Sequence, residues 1–293
     1  MLHMDLAQLV ALAAVVDEGS FDAAATSLHV TPSAVSQRIK ALEQSAGQVL
    51  VRRTKPTAVT AAGESYLRLA RQIDVLVRDA AAETSAGRPG PVTVPIAVSA
   101  DSMATWVLPA LATVGPGVCF DLHRDDQSRT AELLRSGTVM AAITSVDEPV
   151  QGCRSTRLGT TRYRPMATPA FVDRWFAGGV SVDALAVAPM VVFDRHDDLQ
   201  ERYLRRRTRR RLDPPRHYVP ASADFAEAVA LGLGWAVLPH EQSDEPERLG
   251  RLVEIDPGQH VDVVLHWQQW TLQTPALERV AAAIRGAAAD HLL

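Results

Sequence analysis

An α/β fold preceded by an all-α unit is what this 293-residue sequence predicts. Three observations predict it. Apolar residues recur at helical spacing as far as about residue 86, Gly87-Arg88-Pro89-Gly90-Pro91 then breaks the chain, and strand and helix patterns alternate beyond Val92. Length alone suggests two units of roughly 100–200 residues. Hydrophobic residues make up 47% and charged residues 22%, and no apolar run approaches the roughly 20 residues of a membrane-spanning helix. A membrane partner is therefore not expected.

Within residues 4–17, Leu6, Leu9, Val10, Ala13 and Val16 fall at helical spacing, and Gly19 closes that helix. Ser20 caps a short second helix from Phe21 to Leu28, and His29-Val30-Thr31 makes a tight turn. Thr31 as cap and Pro32 at the first helical position open a third helix that runs to Ala46. In it Val35, Ile39 and Leu42 face inward, leaving Ser33, Ser36, Gln37 and Lys40 outward. The small Ala25 and, ten residues later, the apolar Val35 allow the second and third helices to cross closely. His29 stands at a turn position where glycine is common, and histidine tolerates a left-handed backbone better than most residues. This is a helix-turn-helix. Val49–Arg53 and Ala58–Thr60 read as two short strands about Thr54-Lys55-Pro56-Thr57, a basic wing. From Ala61 to Ala86, Tyr66, Leu69, Ile73, Leu76, Ala80 and Glu83 form a heptad seam on a helix about 40 Å long, which calls for a partner helix.

Strands are expected at Val92–Val98, Cys119–His123, Met140–Thr144, Met190–Phe193, Trp235–Leu238 and Val261–Trp267, in a mainly parallel sheet. Helices are expected near 102–112, 128–136, 169–177, 197–206, 222–232 and 275–289, enough for two small α/β lobes. The division is 1–60 for the winged helix-turn-helix, 61–87 for the linker helix and 88–293 for the second domain. Its first lobe takes about 92–160 and 268–293, its second about 161–267.

The formal net charge is −4, yet between His29 and Arg71 seven Lys/Arg face two acids, a local +5. A basic segment in an acidic whole fits one small domain that meets phosphates. Ser33, Ser36 and Gln37 can reach base edges or phosphates, and Lys40, Arg52, Arg53 and Lys55 suit phosphates. The run Arg205–Arg211 has Asp197, Asp198, Glu201 and Asp213 nearby and reads as a solvated face. Trp267 and Trp270 read as packing residues, as do the isolated Cys119 and Cys153. The first residues carry Asp5 and no basic region ahead of an apolar stretch, so no secretory signal and a cytoplasmic location are expected. His240, His260 and His266 lack metal-ligand spacing, and no nucleophile–base arrangement or phosphate-cradling glycine loop stands out. No enzyme, metal or cofactor is expected.

Ser20-Phe21, Ala23-Ala24-Ala25 and the run from Leu28 through Thr31-Pro32-Ser33-Ala34-Val35-Ser36-Gln37-Arg38 to Glu43 closely resemble the helix-turn-helix of LysR-type regulators. Val51-Arg52-Arg53 and Thr60-Ala61-Ala62-Gly63 resemble that family's wing and the start of its linker helix. Within the family, Thr31–Glu43, Val146–Cys153 and Phe193-Asp194-Arg195 resemble the ArgP/LysG branch, which responds to basic amino acids. The resemblance implies a third helix in the major groove of double-stranded operator DNA, with Thr31, Pro32 and Arg38 added to the DNA-binding residues above. It also implies a homodimer or homotetramer that bends DNA, RNA polymerase as a partner, and activation of a gene for amino-acid export or metabolism.

The second domain resembles a two-lobed periplasmic-binding-protein-like effector module, with its ligand between the lobes. Ligands of α/β folds bind where strands end and helices begin. Those ends carry Ser99, Asp101, Ser102, Ser128, Thr144 and Ser145 in one lobe, and Asp194, Ser222 and Asp224 in the other. Hydroxyls suit an amino-acid carboxylate and acids suit the cationic end of lysine or arginine, although the same residue types are ordinary helix caps. The rival reading is an architectural DNA-binding protein that needs no effector.

Overall fold

The computed structural model describes residues 5–84, 91–124 and 127–293, with backbone only at 78–84 and 127–129. The break at Gly87–Gly90 therefore lies outside the described residues, as do the side chains of Ala80, Glu83 and Ser128.

Three capped helices open the chain: α1 (Leu6–Asp17), α2 (Phe21–Ser27) and α3 (Pro32–Ala46). The side chains of Asp5, Ser20 and Thr31 each accept a hydrogen bond from a first-turn N–H, at 3.1 to 3.2 Å. His29 holds the turn with φ of 54°. Ala24, Ala25 and Val35 are buried where α2 meets α3, beside Ile39 and Leu42. On α1 the buried face is Leu9, Ala11, Leu12 and Val15, whereas Leu6 and Val10 are exposed. That helix is apolar almost all round, so spacing alone could not choose its inward side.

Two-residue strands β1 (Val51–Arg52) and β2 (Ala58–Val59) make the wing, shorter than the sequence suggested. The Glu43 carboxylate accepts from the N–H groups of Leu50 (2.9 Å) and Val51 (3.2 Å) and so fixes the wing to the end of α3. The long helix α4 (Ala61–Thr84) follows, burying Leu67 and Ala70 against the rest of this unit. Along its seam Tyr66, Leu69 and Ile73 are only half-buried, and Leu76 is 47% exposed.

The second domain opens with β3 (Val92–Val98), α5 (Ala100–Ser102), a wide turn at Met103–Val107 and α6 (Leu108–Ala112). It continues through β4 (Val118–Arg124), α7 (Gln127–Ser136), β5 (Ala141–Thr144), β6 (Cys153–Ala167), α8 (Pro169–Trp175), α9 (Val182–Val187) and β7 (Met190–Val192). Then come α10 (Leu199–Arg207), β8 (Arg216–Tyr218), α11 (Ser222–Ala230), β9 (Ala236–Pro239), α12 (His240–Arg248), β10 (Val253–Glu254), β11 (Val261–Trp270) and α13 (Pro275–His291).

One sheet runs in the order β10-β6-β11-β5-β3-β4, with β9 also on β6. β3 pairs parallel with β4 and β5, and β7 with β8, whereas β6 runs antiparallel to β9, β10 and β11, so the expected mainly parallel sheet is replaced by a mixed one. The cause is β6, a 15-residue strand the sequence did not disclose, paired antiparallel with β11 from Cys153 to Tyr163 and with β9 and β10 beyond. These two strands pass through both lobes. Their inner faces join a large core in which Trp106, Trp235, Trp267 and Trp270 are fully buried.

Of the arginine run, Arg207 pairs with Asp256 at 3.2 Å, Arg210 with Asp183 at 3.4 Å, and Arg206 bonds the His260 carbonyl. Cys119 is exposed on the outer strand β4, which corrects its reading as a packing residue. Cys153 is half-buried, and burial pushes its thiol up to about 11 against a smaller opposing pull from Arg68. Because thiolate is the reactive form, such a thiol presents roughly a hundredfold less nucleophile at neutral pH than an unshifted one. Iodoacetamide at pH 7.5 is thus expected to label Cys119 well before Cys153, a sequence that peptide mass spectrometry over time would read.

Candidate DNA interface and effector cleft

At the open end of α3, Thr31, Pro32, Ser33, Gln37 and Lys40 are exposed, while Ser36 and Arg38 are half-buried. Proline at the first turn and the Thr31 cap leave N–H groups and short polar side chains facing outward, a geometry suited to phosphates and base edges. In the wing Arg52, Arg53 and Lys55 are all exposed. The Arg52 guanidinium donates across the hairpin to the Val59 carbonyl at 3.1 and 3.2 Å, and Arg53 lies 4.8 Å over the Phe21 ring. Both cations are held by their own unit yet open to solvent, so a phosphate would meet charges already positioned.

Between the lobes, the Asp101 side chain leaves α5 after the end of β3. Its Oδ1 accepts from Ser222 Oγ at 2.7 Å, and its Oδ2 accepts from Tyr163 Oη at 3.0 Å. Gln242 Nε2 donates to the same Ser222 oxygen at 2.9 Å. Elements from opposite lobes, α5 on one side with α11 and α12 on the other, thus close on one carboxyl group. Burial raises the Asp101 pKa, and the bonds from Ser222 and Tyr163 offset this only in part. The Tyr163 pKa is raised well above its ordinary value, first by burial and then by the Asp101 charge. A small, closed-down pocket lies here, lined by Asp101, Ser102, Thr105, Trp106, Thr161, Tyr163, Pro239 and Glu241.

Of the nine effector residues read from the sequence, Asp101 and Ser102 line this pocket and Ser222 bonds to Asp101. Ser99, Thr144, Ser145, Asp194 and Asp224 do not line it, and the Ser128 side chain lies outside the described residues. Ser99 caps α5, Thr144 is buried and accepts from the Val146 N–H, and Ser145 is half-buried beside it. Asp194 holds the turn after β7 by accepting from His196 and Asp197 N–H groups, and Asp224 is exposed on α11. The backbone bonds of Ser99, Thr144 and Asp194 follow from the same chemistry that made them candidates. Sequence reading missed Tyr163, because β6 was missed, and Glu241 with Gln242. The strand-end rule applied to β9 would have pointed to the last two.

Residues 6–64 match the family model described as bacterial regulatory helix-turn-helix protein, lysR family, and residues 90–289 match the LysR substrate binding domain. The chain belongs to the LysR family. As a LysR-type transcription regulator it joins a DNA-binding domain to an effector-binding domain. Among the described residues no helix is long and apolar enough to cross a membrane.

Three relatives place this LysR-family chain in the LysG/ArgP branch. A crystal structure of ArgP from Mycobacterium tuberculosis is 45% identical, with a TM-score of 0.91 over 97% of each chain. Full-length LysG from Corynebacterium glutamicum with bound effector Arg is 36% identical, with a TM-score of 0.85 over 99% of each chain. The lysine export transcriptional regulatory protein LysG of the same organism is 38% identical over 296 residues, covering 99% of this chain and of its own length.

Proposed function

We propose that this regulator binds a dyad-symmetric operator through α3 and the wing, and that a basic amino acid, lysine or arginine, seated between the lobes controls it. The observation that carries the effector reading is the acidic pocket closed by both lobes, in which Asp101 and Glu241 face one small space. Two acids in one pocket favour a cation, and a ligand that touches both lobes has different affinity for their open and closed arrangements. The effector Arg of the LysG structure and the lysine-export role in the name of the other relative agree with this chemistry.

The half-buried seam of α4, ending in the exposed Leu76, pairs two copies and sets two α3 helices against two half-sites. Further pairing through the second domains makes a tetramer. Effector binding then alters the DNA bend and the recruitment of RNA polymerase, activating a gene for export or metabolism of the amino acid. The chain performs no catalysis in this scheme, works in the cytoplasm, and uses the residues named above for DNA contact.

Footprinting on the chain's own upstream region, with and without arginine or lysine, tests the proposal. A pattern that changes with either amino acid supports it, and an unchanged pattern returns the chain to an architectural role. Lys40→Ala is expected to weaken binding on every sequence and to lower the slope of log affinity against log salt by about 1, the loss of one phosphate contact. Affinities measured across a salt series would read that slope.

A further inference from the structure

We propose that Glu241 is the residue that selects a cationic side chain: its carboxylate receives the guanidinium or ammonium group of the bound amino acid. The inference rests on the effector reading above and assigns the recognition of charge within it to one residue.

The Glu241 side chain is only 10% exposed and lines the pocket, and neither carboxylate oxygen has a hydrogen-bond partner of acceptable geometry among the described residues. Buried carboxylates are normally paired, because desolvation without a donor is costly. Asp101 is in a different condition, since Ser222 and Tyr163 already donate to its two oxygens. The acceptor capacity left over in the cleft is therefore concentrated on Glu241.

The nearest ring does not fill it. His240 Nδ1 lies 3.2 Å from Glu241 Oε2, but His240 Nε2 faces the His291 carbonyl oxygen at 3.0 Å. Nδ1 and Oε2 do not meet in hydrogen-bonding geometry, so the ring leaves both carboxylate oxygens without a bond. Beside it, Gln242 Oε1 is also buried without a donor, although Gln242 Nε2 is bonded. Among the described residues the unpaired buried oxygens at this end of the cleft, Glu241 Oε1 and Oε2 and Gln242 Oε1, are all acceptors. A group that only donates complements such a set: guanidinium offers five N–H donors and ammonium three, with no acceptor. Burial raises the Glu241 pKa, with the Asp101 charge adding to it, while its own backbone N–H and the rings of His240 and His291 offset this in part. An arriving cation relieves that burden.

Calorimetric titration of the full-length protein with arginine, lysine and citrulline tests the assignment, since citrulline replaces the guanidinium by a neutral group of nearly the same shape. Wild-type protein is expected to bind arginine at least about 30-fold more tightly than citrulline, the loss typical of leaving one partner of a buried charge pair unmatched. Glu241→Gln should weaken arginine by at least about 30-fold and bring arginine and citrulline to similar affinity, with the thermal melt confirming a folded variant. The assignment is overturned if E241Q keeps the wild-type affinity for arginine. Equal wild-type affinities for arginine and citrulline overturn it too, without any variant. Wild-type protein that binds neither arginine nor lysine overturns the effector reading itself, and this inference with it.

Discussion

Gly63→Ala is expected to unfold the amino-terminal unit and abolish operator binding while the second domain continues to bind its amino acid. A Cβ at this position would stand 2.1 Å from the Leu50 carbonyl oxygen, 3.0 Å from the Leu50 carbonyl carbon and 3.1 Å from Val59 Cβ. Relief would require Leu50 to move, but its carbonyl accepts from Thr60 N–H at 2.9 Å and its N–H is bonded to Glu43. Gly63 N–H in turn donates to Thr60 Oγ1 at 3.1 Å, and Thr60 Oγ1 donates to the Val49 carbonyl at 2.7 Å. The start of α4, the wing and the end of α3 are therefore one bonded joint with no slack.

Overpacking a core usually costs about 1–3 kcal/mol, and more where backbone cannot yield. A unit of this size has only on the order of 5 kcal/mol to lose. Gly47→Ala is the useful contrast: its site has φ of 67° but nothing within 4 Å of the added carbon, so about 1–2 kcal/mol is expected. Gel shift and two-domain thermal melting separate the cases. Gly63→Ala that shifts operator DNA like wild type would show that the joint relaxes.

The elements legible in the sequence were those whose causes are local. Thr31-Pro32, the His29 turn and the Val35-Ile39-Leu42 stripe are each set by a residue and its near neighbours, so α3 and its outward face could be read directly. β6 could not. Arg154, Arg157, Arg162 and Arg164 stud it, Gly159 and Pro165 interrupt it, and apart from Arg157, which bonds Thr160, these apparent defects are resolved by partners distant in sequence. Arg162 pairs with Asp262 at 2.9 Å on β11, Arg164 pairs with Asp244 and Glu247 at 2.6 Å, and Gly159 makes room for Leu292.

The cleft divides the same way. Asp101 and Ser222 stand at strand–helix junctions, where general rules look for ligands, whereas Tyr163 matters only because β6 crosses between lobes. Asp194 and Asp224, placed away from this pocket, show the ambiguity of that rule, since an acid at a helix start satisfies backbone N–H groups or solvent as readily as a ligand.

Arg71→Met is expected to leave both binding events intact and to remove the communication between them. One guanidinium on α4 touches three parts of the molecule: Nη1 donates to the Ser136 carbonyl at 3.2 Å and to Thr138 Oγ1 at 2.9 Å, and Nη2 pairs with the Asp17 carboxylate at the end of α1. Ser136 ends α7, so a shift of the first lobe reaches the linker helix and the DNA-binding unit through the same side chain. Asp17 is 53% exposed, and a pair so open contributes about 0–1 kcal/mol to stability. Folding should therefore hardly change.

Coupling is a different quantity. If arginine and operator each alter the other's affinity, the factor is the same in both directions and typically corresponds to about 1–3 kcal/mol. Arginine affinity measured with and without saturating operator DNA should differ by about 5- to 150-fold in wild type and become equal in the variant. A second contact already helps hold the helix, since Gly137 packs against Arg68 with an added Cβ placed 3.0 Å from its Cα. Backbone contact of that kind fixes position without carrying a charge that can change partners, so retained coupling in Arg71→Met would assign the communication to packing between α4 and α7 instead of to the guanidinium.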